Sequence, residues 1–283
     1  EFACPSVVPL LPISGSWEPF TSADLADGWQ AAFAADGFLI AKQVLPSPLC
    51  DALVARLDAM LAGTFDTGQV PDKVPAAERQ QTAVQAPCAK LHGRKKPVLV
   101  QQFVNAWKGD RLFNAVVHSE KLSNFVAEAA GWPMGAKVLQ DQVWCKPPGS
   151  GTLAFHRDTS YMGMGVFTFW LALDDLTSEM GPLEYARGSH CWTTKGVADI
   201  PNLYAKDPQY VLRAAAKSCR SKVDLVPVIV QRGGGSIHNG HTYHGSNANR
   251  SDRMRRGLGI HFAAKDASPE ATTLFARSLE VSG

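Results

Sequence analysis

The sequence predicts a mainly β protein, a sandwich or barrel under a helical cover, and two observations carry that reading. Up to about residue 132 the apolar residues recur at helical spacing; after about residue 135 they alternate in short runs divided by glycine turns. Helices followed by many short strands suit a sheet core with helices laid against it. The 283 residues are read as a single domain over 1–283, with a helical part about 20–132 and the β core about 135–265.

Taken in order, Ser22 can cap a helix that carries Leu25, Trp29 and Phe33 on one face and stops at Gly37. "FLIAKQVL" then reads as a strand. Ser47 and Pro48 open a second helix, with Leu49, Leu53, Leu57, Met60 and Leu61 at helical spacing and Gly63 at its end. Residues 64–98 have no clear period and read as a long loop near whatever the protein binds. A further helix runs through Leu122, Phe125, Val126 and Ala129 to Gly131. In "KVLQDQVWC", Gln140, Gln142 and Trp144 share one face, and Leu139, Val143 and Cys145 the other. "VFTFWLAL" is apolar on both faces, as a strand buried between layers would be. "VPVIV", "GSIHNG" and "RRGLGIHF" complete the strands.

Composition narrows the function. A formal net charge of +2 is close to balance and argues against a nucleic-acid partner. The basic clusters "GRKKP" and "RMRR" are local and read as solvated faces. No apolar run approaches the ~20 residues of a membrane span. Six cysteines without a CxxC pair or regular spacing suit reduced thiols, hence an intracellular and specifically cytoplasmic protein. Glu1-Phe2 reads as a vector remnant, which leaves organellar targeting open, and "EVSG" is not a peroxisomal signal. The sequence carries no signal for oligomeric state.

The chemistry concentrates in "AFHRDTSYMG", where His156 and Asp158 stand two positions apart. In an extended segment such residues share a face, and two imidazoles with one carboxylate leave open positions on a redox-active iron. The third ligand has to come from a distant strand, and "SIHNGHTYHGSNANRSDRMRRGLGIHF" offers His238, His241, His244 and His261.

These segments resemble the phytanoyl-CoA dioxygenase-like family of iron(II)- and 2-oxoglutarate-dependent oxygenases. The resemblance spans roughly residues 97 to 263, through "FHRDTSYMG", "FWLALDDLTSEMGPLEYARGSH" and "HNGHTYHGSNANRSDRMRRGLGIHF". It implies a double-stranded β-helix, or jelly roll, with His156, Asp158 and His244 as catalytic metal ligands. It also implies Arg255, eleven positions after His244, as the cation for the distal carboxylate of 2-oxoglutarate, with Ser246 adding a hydroxyl. Gln142 and Trp170 match positions beside that co-substrate. The implied requirements are Fe(II), 2-oxoglutarate and O2, with ascorbate helpful in vitro, and the implied partner is a small-molecule substrate. Related halogenases replace the carboxylate with a small residue, so Asp158 points to hydroxylation. Some relatives carry a lysine where this chain has Leu99, so a second cationic clamp is expected to be absent, with Gln102 a weak substitute.

Plainer roles compete for several of these residues. Alternation places Arg255 with Gly257 and Gly259 on one face, and Arg256 with Leu258, Ile260 and Phe262 on the other, while Arg253 falls in the preceding turn. Asp174 and Asp175 suit turn caps, and His190 a turn residue bonded locally. Trp170 is equally well explained as a core tryptophan. Tyr161 and Met162 could face substrate or simply form a wall, and Arg157 should point away from a metal. Two rival functions remain: a zinc-type hydrolase or isomerase, which leaves Arg255 and Ser246 idle, and a non-catalytic jelly roll, against which the intact ligand set counts.

Overall fold

A computed structural model describes residues 25–75, 98–163, 165–193 and 202–268. The predicted Ser22 cap, the cluster at 93–97 and most of the 64–98 loop lie outside these residues. Helix α1 (Trp29–Asp36) starts after Gly28, whose φ of 80° breaks the backbone, so Leu25 precedes the helix yet packs on the same core. Gly37 ends it at φ 81°, its N–H donating to the Phe33 carbonyl. Strand β1 (Phe38–Ala41) is half the predicted length, because the N–H groups of Val44 and Leu45 turn to the Gly233 carbonyl. Helix α2 (Ser47–Leu61) carries Pro48 in its first turn and buries Leu53, Leu57 and Met60 as its spacing requires.

Strand β2 (Gln101–Val104) and helix α3 (Arg111–Val117) follow. Asp110 caps α3, accepting from the N–H groups of Leu112 and Phe113, and pairs with Arg56 of α2. It is fully buried. Asp110→Ala is therefore expected to cost about 2 kcal/mol, the upper end for a helix cap, read as a lowered denaturant midpoint with unchanged slope. Helix α4 (Glu120–Ala130) starts at Ser119 and ends at Gly131, burying Leu122, Phe125 and Val126.

The strands are β3 (Ala136–Lys146), β4 (Leu153–His156), β5 (Phe167–Ala172), β6 (Leu183–Ala186), β7 (Leu225–Pro227), β8 (Gly235–Asn239), β9 (His244–Ser246) and β10 (Arg255–Ala264). They form an antiparallel six-stranded sheet, β1-β8-β5-β10-β3-β2, and a four-stranded one, β4-β9-β6-β7. From β3 to β10 the chain crosses between the sheets at nearly every connection, which is the jelly-roll path. Helix α5 (Thr159–Met162) follows β4, and α6 (Tyr210–Ser218), in a stretch to which the sequence reading assigns no element, lies between β6 and β7.

Packing follows the alternation. On the outer face of the larger sheet Phe169, Leu171, Leu258, Ile260 and Phe262 meet Trp29, Phe33, Leu53, Leu57 and Phe125 of the helices. Each such fully buried side chain contributes about 1.5–3 kcal/mol. Between the sheets Trp170, Ala172, Leu183 and Tyr185 form a smaller apolar layer, and α6 covers the other sheet through Leu212 and Ala215 against Phe155. One face assignment fails. A β-bulge pairs His261 with Gln140 but Phe262 with Val138, so Val138, not Leu139, joins the core with Val143 and Cys145. Of "VPVIV", Val228 to Val230 run beyond β7, where the Val228 N–H donates to the Leu183 carbonyl and the Val230 carbonyl accepts from the Leu176 N–H.

Candidate metal and co-substrate site

Strands of both sheets converge on one cavity, and its floor is built by the pairing of β4 with β9. That register sets His156 opposite His244, with ring centroids 4.3 Å apart. Each ring presents Nδ1 to a backbone carbonyl two residues earlier, His156 to Ala154 at 2.8 Å and His244 to Thr242 at 3.0 Å. A carbonyl only accepts, so Nδ1 carries a proton and, in the neutral ring, Nε2 holds the lone pair for a metal. Asp158 does not continue the strand: at φ −63° and ψ −31° it opens α5, and this turn, rather than extended alternation, swings its carboxylate toward the two rings. Its Oδ1 lies 3.4 Å from His244 Nε2 and 3.9 Å from His156 Nε2. Among the described residues, His156, Asp158 and His244 form the one group whose ligand atoms all lie within 4.8 Å of one another.

The other oxygen of Asp158 is held by a directed chain. Oδ2 accepts from Thr168 Oγ1 and from His238 Nε2, the latter at 2.9 Å. His238 Nδ1 must then accept, and Tyr185 Oη lies 2.9 Å from it, with Ser236 Oγ 2.8 Å behind. The series Ser236, Tyr185, His238, Asp158 thus runs donor to acceptor throughout. His238, a candidate ligand in the sequence, is placed behind the carboxylate rather than beside the other two rings. His241 sits in the turn between β8 and β9, outside the cluster. Tyr161 donates to Asp158 Oδ1 and lines the cavity, whereas Met162 is buried away from it.

Electrostatics prepare this set for a cation. Burial pushes the Asp158 carboxyl up, but the charge of His244 and the hydrogen bonds of His238 and His244 outweigh it and hold it well below the usual range. Burial, and then His244, push His156 down to about 3 despite Asp158. His156 is thus a neutral imidazole beside an ionised carboxylate, whereas Asp158 outweighs burial and pushes His244 up, so a divalent metal there would take the place of a proton on its ring.

Across the cavity β10 presents Arg255, Gly259 and His261, while Arg256 points outward into a bidentate pair with Asp174. Arg255 is 2% exposed, yet its Nε has no hydrogen-bond partner among the described residues. Its guanidinium rests 5.0 Å from the Trp170 ring centroid, and burial pushes its pKa down to about 10. Gly257 makes this stacking possible, because a Cβ there would lie 2.2 Å from Trp170 Cζ2. Trp170 accordingly both walls the cavity and belongs to the apolar layer between the sheets. A buried, unpartnered guanidinium facing a cavity is a site for an anion.

Gln142 lines the same space, donating to Gln140 at 2.8 Å and accepting from Gln102 at 3.1 Å and from Trp144 at 3.0 Å. Gln102 in turn accepts from Lys73 at 3.0 Å. Ser246 lines it too, and its Oγ accepts from Lys146 Nζ at 2.9 Å. Leu99 is exposed, as a position outside the site would be, while Lys146 is fully buried beside Ser246. The sequence did hold a signal for it. Lys146 continues the face of Gln140, Gln142 and Trp144 by two more residues.

The remaining candidates take structural places. Asp175 accepts from the Arg232 N–H and Arg157 stacks over the Tyr243 ring. His190 bonds within its turn to Cys191 Sγ at 3.3 Å and also reaches the Ala34 carbonyl of α1 at 3.0 Å.

Comparison with known proteins gives the family and the fold. The phytanoyl-CoA dioxygenase (PhyH) family profile matches residues 33–257. The phytanoyl-CoA dioxygenase domain-containing protein 1 of Bos taurus is 25% identical over 256 residues, covering 81% of this chain and 87% of the relative. The dioxygenase trt7 of Aspergillus terreus is 24% identical over 196 residues, 65% of this chain and 59% of that protein. Among solved structures, the carbocyclase SnoK of nogalamycin biosynthesis superposes with a TM-score of 0.60 at 20% identity, covering 86% of both chains. EctD from S. alaskensis, solved with 2-oxoglutarate and 5-hydroxyectoine, gives 0.61 at 15% identity, covering 88% of this chain and 79% of EctD. The fold and family together define an oxygenase enzyme. The chain belongs to the phytanoyl-CoA dioxygenase family.

Proposed function

We propose that the protein is an iron(II)- and 2-oxoglutarate-dependent dioxygenase that hydroxylates a small-molecule metabolite. His156, Asp158 and His244 hold the iron, and Arg255 with Ser246 holds the distal carboxylate of 2-oxoglutarate, between Gln142 and Trp170. One observation carries the reading: a His–Asp–His set and a buried guanidinium, its Nε without a hydrogen-bond partner among the described residues, face the same cavity. When bound, iron and 2-oxoglutarate supply with O2 the oxidising power to attack an unactivated C–H bond, releasing succinate and carbon dioxide. The chain's own residues position and protect. The Nδ1 contacts fix the two imidazoles, the His238 chain fixes Asp158, and the apolar layer between the sheets excludes water from one side.

The retained carboxylate at Asp158 occupies the position a halide would need, which supports hydroxylation over halogenation. A small-molecule substrate is supported by the ligands of the related folds, nogalamycin RO in SnoN and 5-hydroxyectoine in EctD. The whole chain acting as one domain in the cytoplasm fits the free thiols of Cys50, Cys145, Cys191 and Cys219. No helix among the described residues is long and apolar enough to cross a membrane. A zinc-type hydrolase would give Arg255 nothing to bind.

Anaerobic titration with Fe(II) and 2-oxoglutarate tests the proposal. A weak visible charge-transfer band is expected only when both are present, and admitting air with ascorbate should convert the oxoacid to succinate. Hydrolytic turnover with Zn(II) in the absence of oxygen and oxoacid, without that band, would overturn it.

A further inference from the structure

Lys146 is the group the proposed chemistry leaves unused. It ends β3, pairs in register with Arg255 of β10, and points into the space between the sheets with no exposed surface. Its ammonium donates to Ser246 Oγ at 2.9 Å and to the Asn247 carbonyl. The charged groups around it are Arg255 and the half-buried Glu184, which is tied to Asn247 through a 2.9 Å hydrogen bond. A buried lysine beside a buried arginine, with one distant carboxylate, is a local excess of positive charge that a bound anion would relieve.

The direction of the Lys146–Ser246 bond matters. A hydroxyl has one proton and two lone pairs, and an ammonium only donates, so Lys146 occupies a lone pair of Ser246. The Ser246 proton is thereby turned outward, and Ser246 lines the cavity that Arg255 faces. We propose that Lys146 is a positioning residue for the co-substrate: a second, buried cation that acts through Ser246 and, with Arg255, selects a dicarboxylate over a monocarboxylate oxoacid. It does not touch the anion itself. It rests on the reading of Arg255 and Ser246 as the carboxylate subsite, and it gives in space the second cation that Leu99 denies in sequence.

A proton signature follows. Burial, then Arg255, push the Lys146 amine down to about 6, against the weaker pull of Glu184. At pH 8 the ligand-free site therefore holds a largely neutral amine, which can also accept from Ser246, and the proton taken up on binding makes it the ammonium that only donates. A carboxylate arriving beside Arg255 and Ser246 favours the charged form and raises the lysine pKa. Binding should then take up about one proton at pH 8, and affinity should fall as pH rises above about 6.

The test is calorimetry of the Mn(II)-loaded enzyme at pH 8 in buffers of different ionisation enthalpy. The probes are 2-oxoglutarate and 2-oxobutyrate, which share the chelating end but differ in the distal carboxylate. Lys146→Met is expected to weaken 2-oxoglutarate by about ten- to a hundredfold, the range for a hydrogen bond to a charged group, and to abolish the proton uptake. Its affinity for 2-oxobutyrate should stay within about twofold. Lys146→Arg should restore the preference in part. Ser246→Ala should lose the same preference, and the double variant should lose no more than either single one.

Equal losses for both oxoacids in Lys146→Met, or an unchanged preference with unchanged proton uptake, would overturn the assignment. Should Lys146→Met fail to fold, absence of proton uptake by the unaltered enzyme overturns it just as directly. If the unaltered enzyme itself does not prefer 2-oxoglutarate, the co-substrate reading fails instead, so the two failures are separable.

Discussion

His244→Ala should abolish succinate formation and weaken iron(II) binding by more than about a hundredfold, since it would remove one of the three proposed protein ligands. Its neighbour His238 gives the contrast that makes this informative. Both rings are buried against Asp158, with His238 Nε2 2.9 Å and His244 Nε2 3.4 Å from its carboxylate. Distance alone would favour His238 as the partner. The register decides otherwise, because β9 pairs with β4 and sets His244 opposite His156, while His238 leaves from β8 behind the carboxylate. His238→Ala should therefore cost only about ten- to a hundredfold in iron affinity, as groups that orient a ligand usually do. Anaerobic Fe(II) titration in the presence of 2-oxoglutarate reads both variants. An undiminished charge-transfer band in His244→Ala, with loss in His238→Ala, would move the third ligand to His238.

The same region explains how far the sequence could be read. His156, Asp158 and His244 were legible because their spacing and flanking residues recur as local patterns, and Arg255 because strand alternation separates it from Arg256. What alternation says of Asp158 is right in outcome and wrong in cause, since a turn rather than a strand aims it. The partners of the groups around the site were not legible for a physical reason. Lys146 meets Ser246 across 100 residues and Tyr185 meets His238 across 53, contacts created by the crossing of strands between sheets. No local pattern encodes such a partner. The bulge opposite His261 is a similar case: one extra residue in β3 inverts the faces below it, so Leu139 and Val138 exchange places relative to the alternating pattern. Helix α6 was missed because a short amphipathic run in a strand-rich half has little periodicity to stand on.

Arg255→Ala is the second large effect, and it should separate binding from stability. Truncating one partner of a buried charge pair costs about 2–5 kcal/mol, so the 2-oxoglutarate requirement should rise by roughly thirty- to several thousandfold. Arg256→Ala should leave that requirement nearly unchanged, because its guanidinium is spent on Asp174 at 2.8 Å on the helical side of the sheet. Arg253, in the turn before β10, reaches the Asp175 carbonyl and should matter as little. The stability of the resting protein should behave differently. Arg255 is buried with its Nε unpartnered among the described residues and the Trp170 ring beneath it, so the ligand-free site carries a desolvated charge at a cost to the fold. Removing that charge offsets the packing lost with the side chain. The melting temperature of Arg255→Ala without ligands should then stay within about 4 °C of the unaltered protein. What the variant loses is the rise in melting temperature that Mn(II) and 2-oxoglutarate give the unaltered protein, since a ligand stabilises only the state that binds it. Thermal scans with and without the oxoacid measure both quantities in one experiment. A large ligand-induced shift in Arg255→Ala, or a larger co-substrate defect in Arg256→Ala, would place the carboxylate elsewhere in the cavity. The cation that the strand register turns inward would then be a structural residue, and the anion subsite would have to be sought along Gln142 and Lys73.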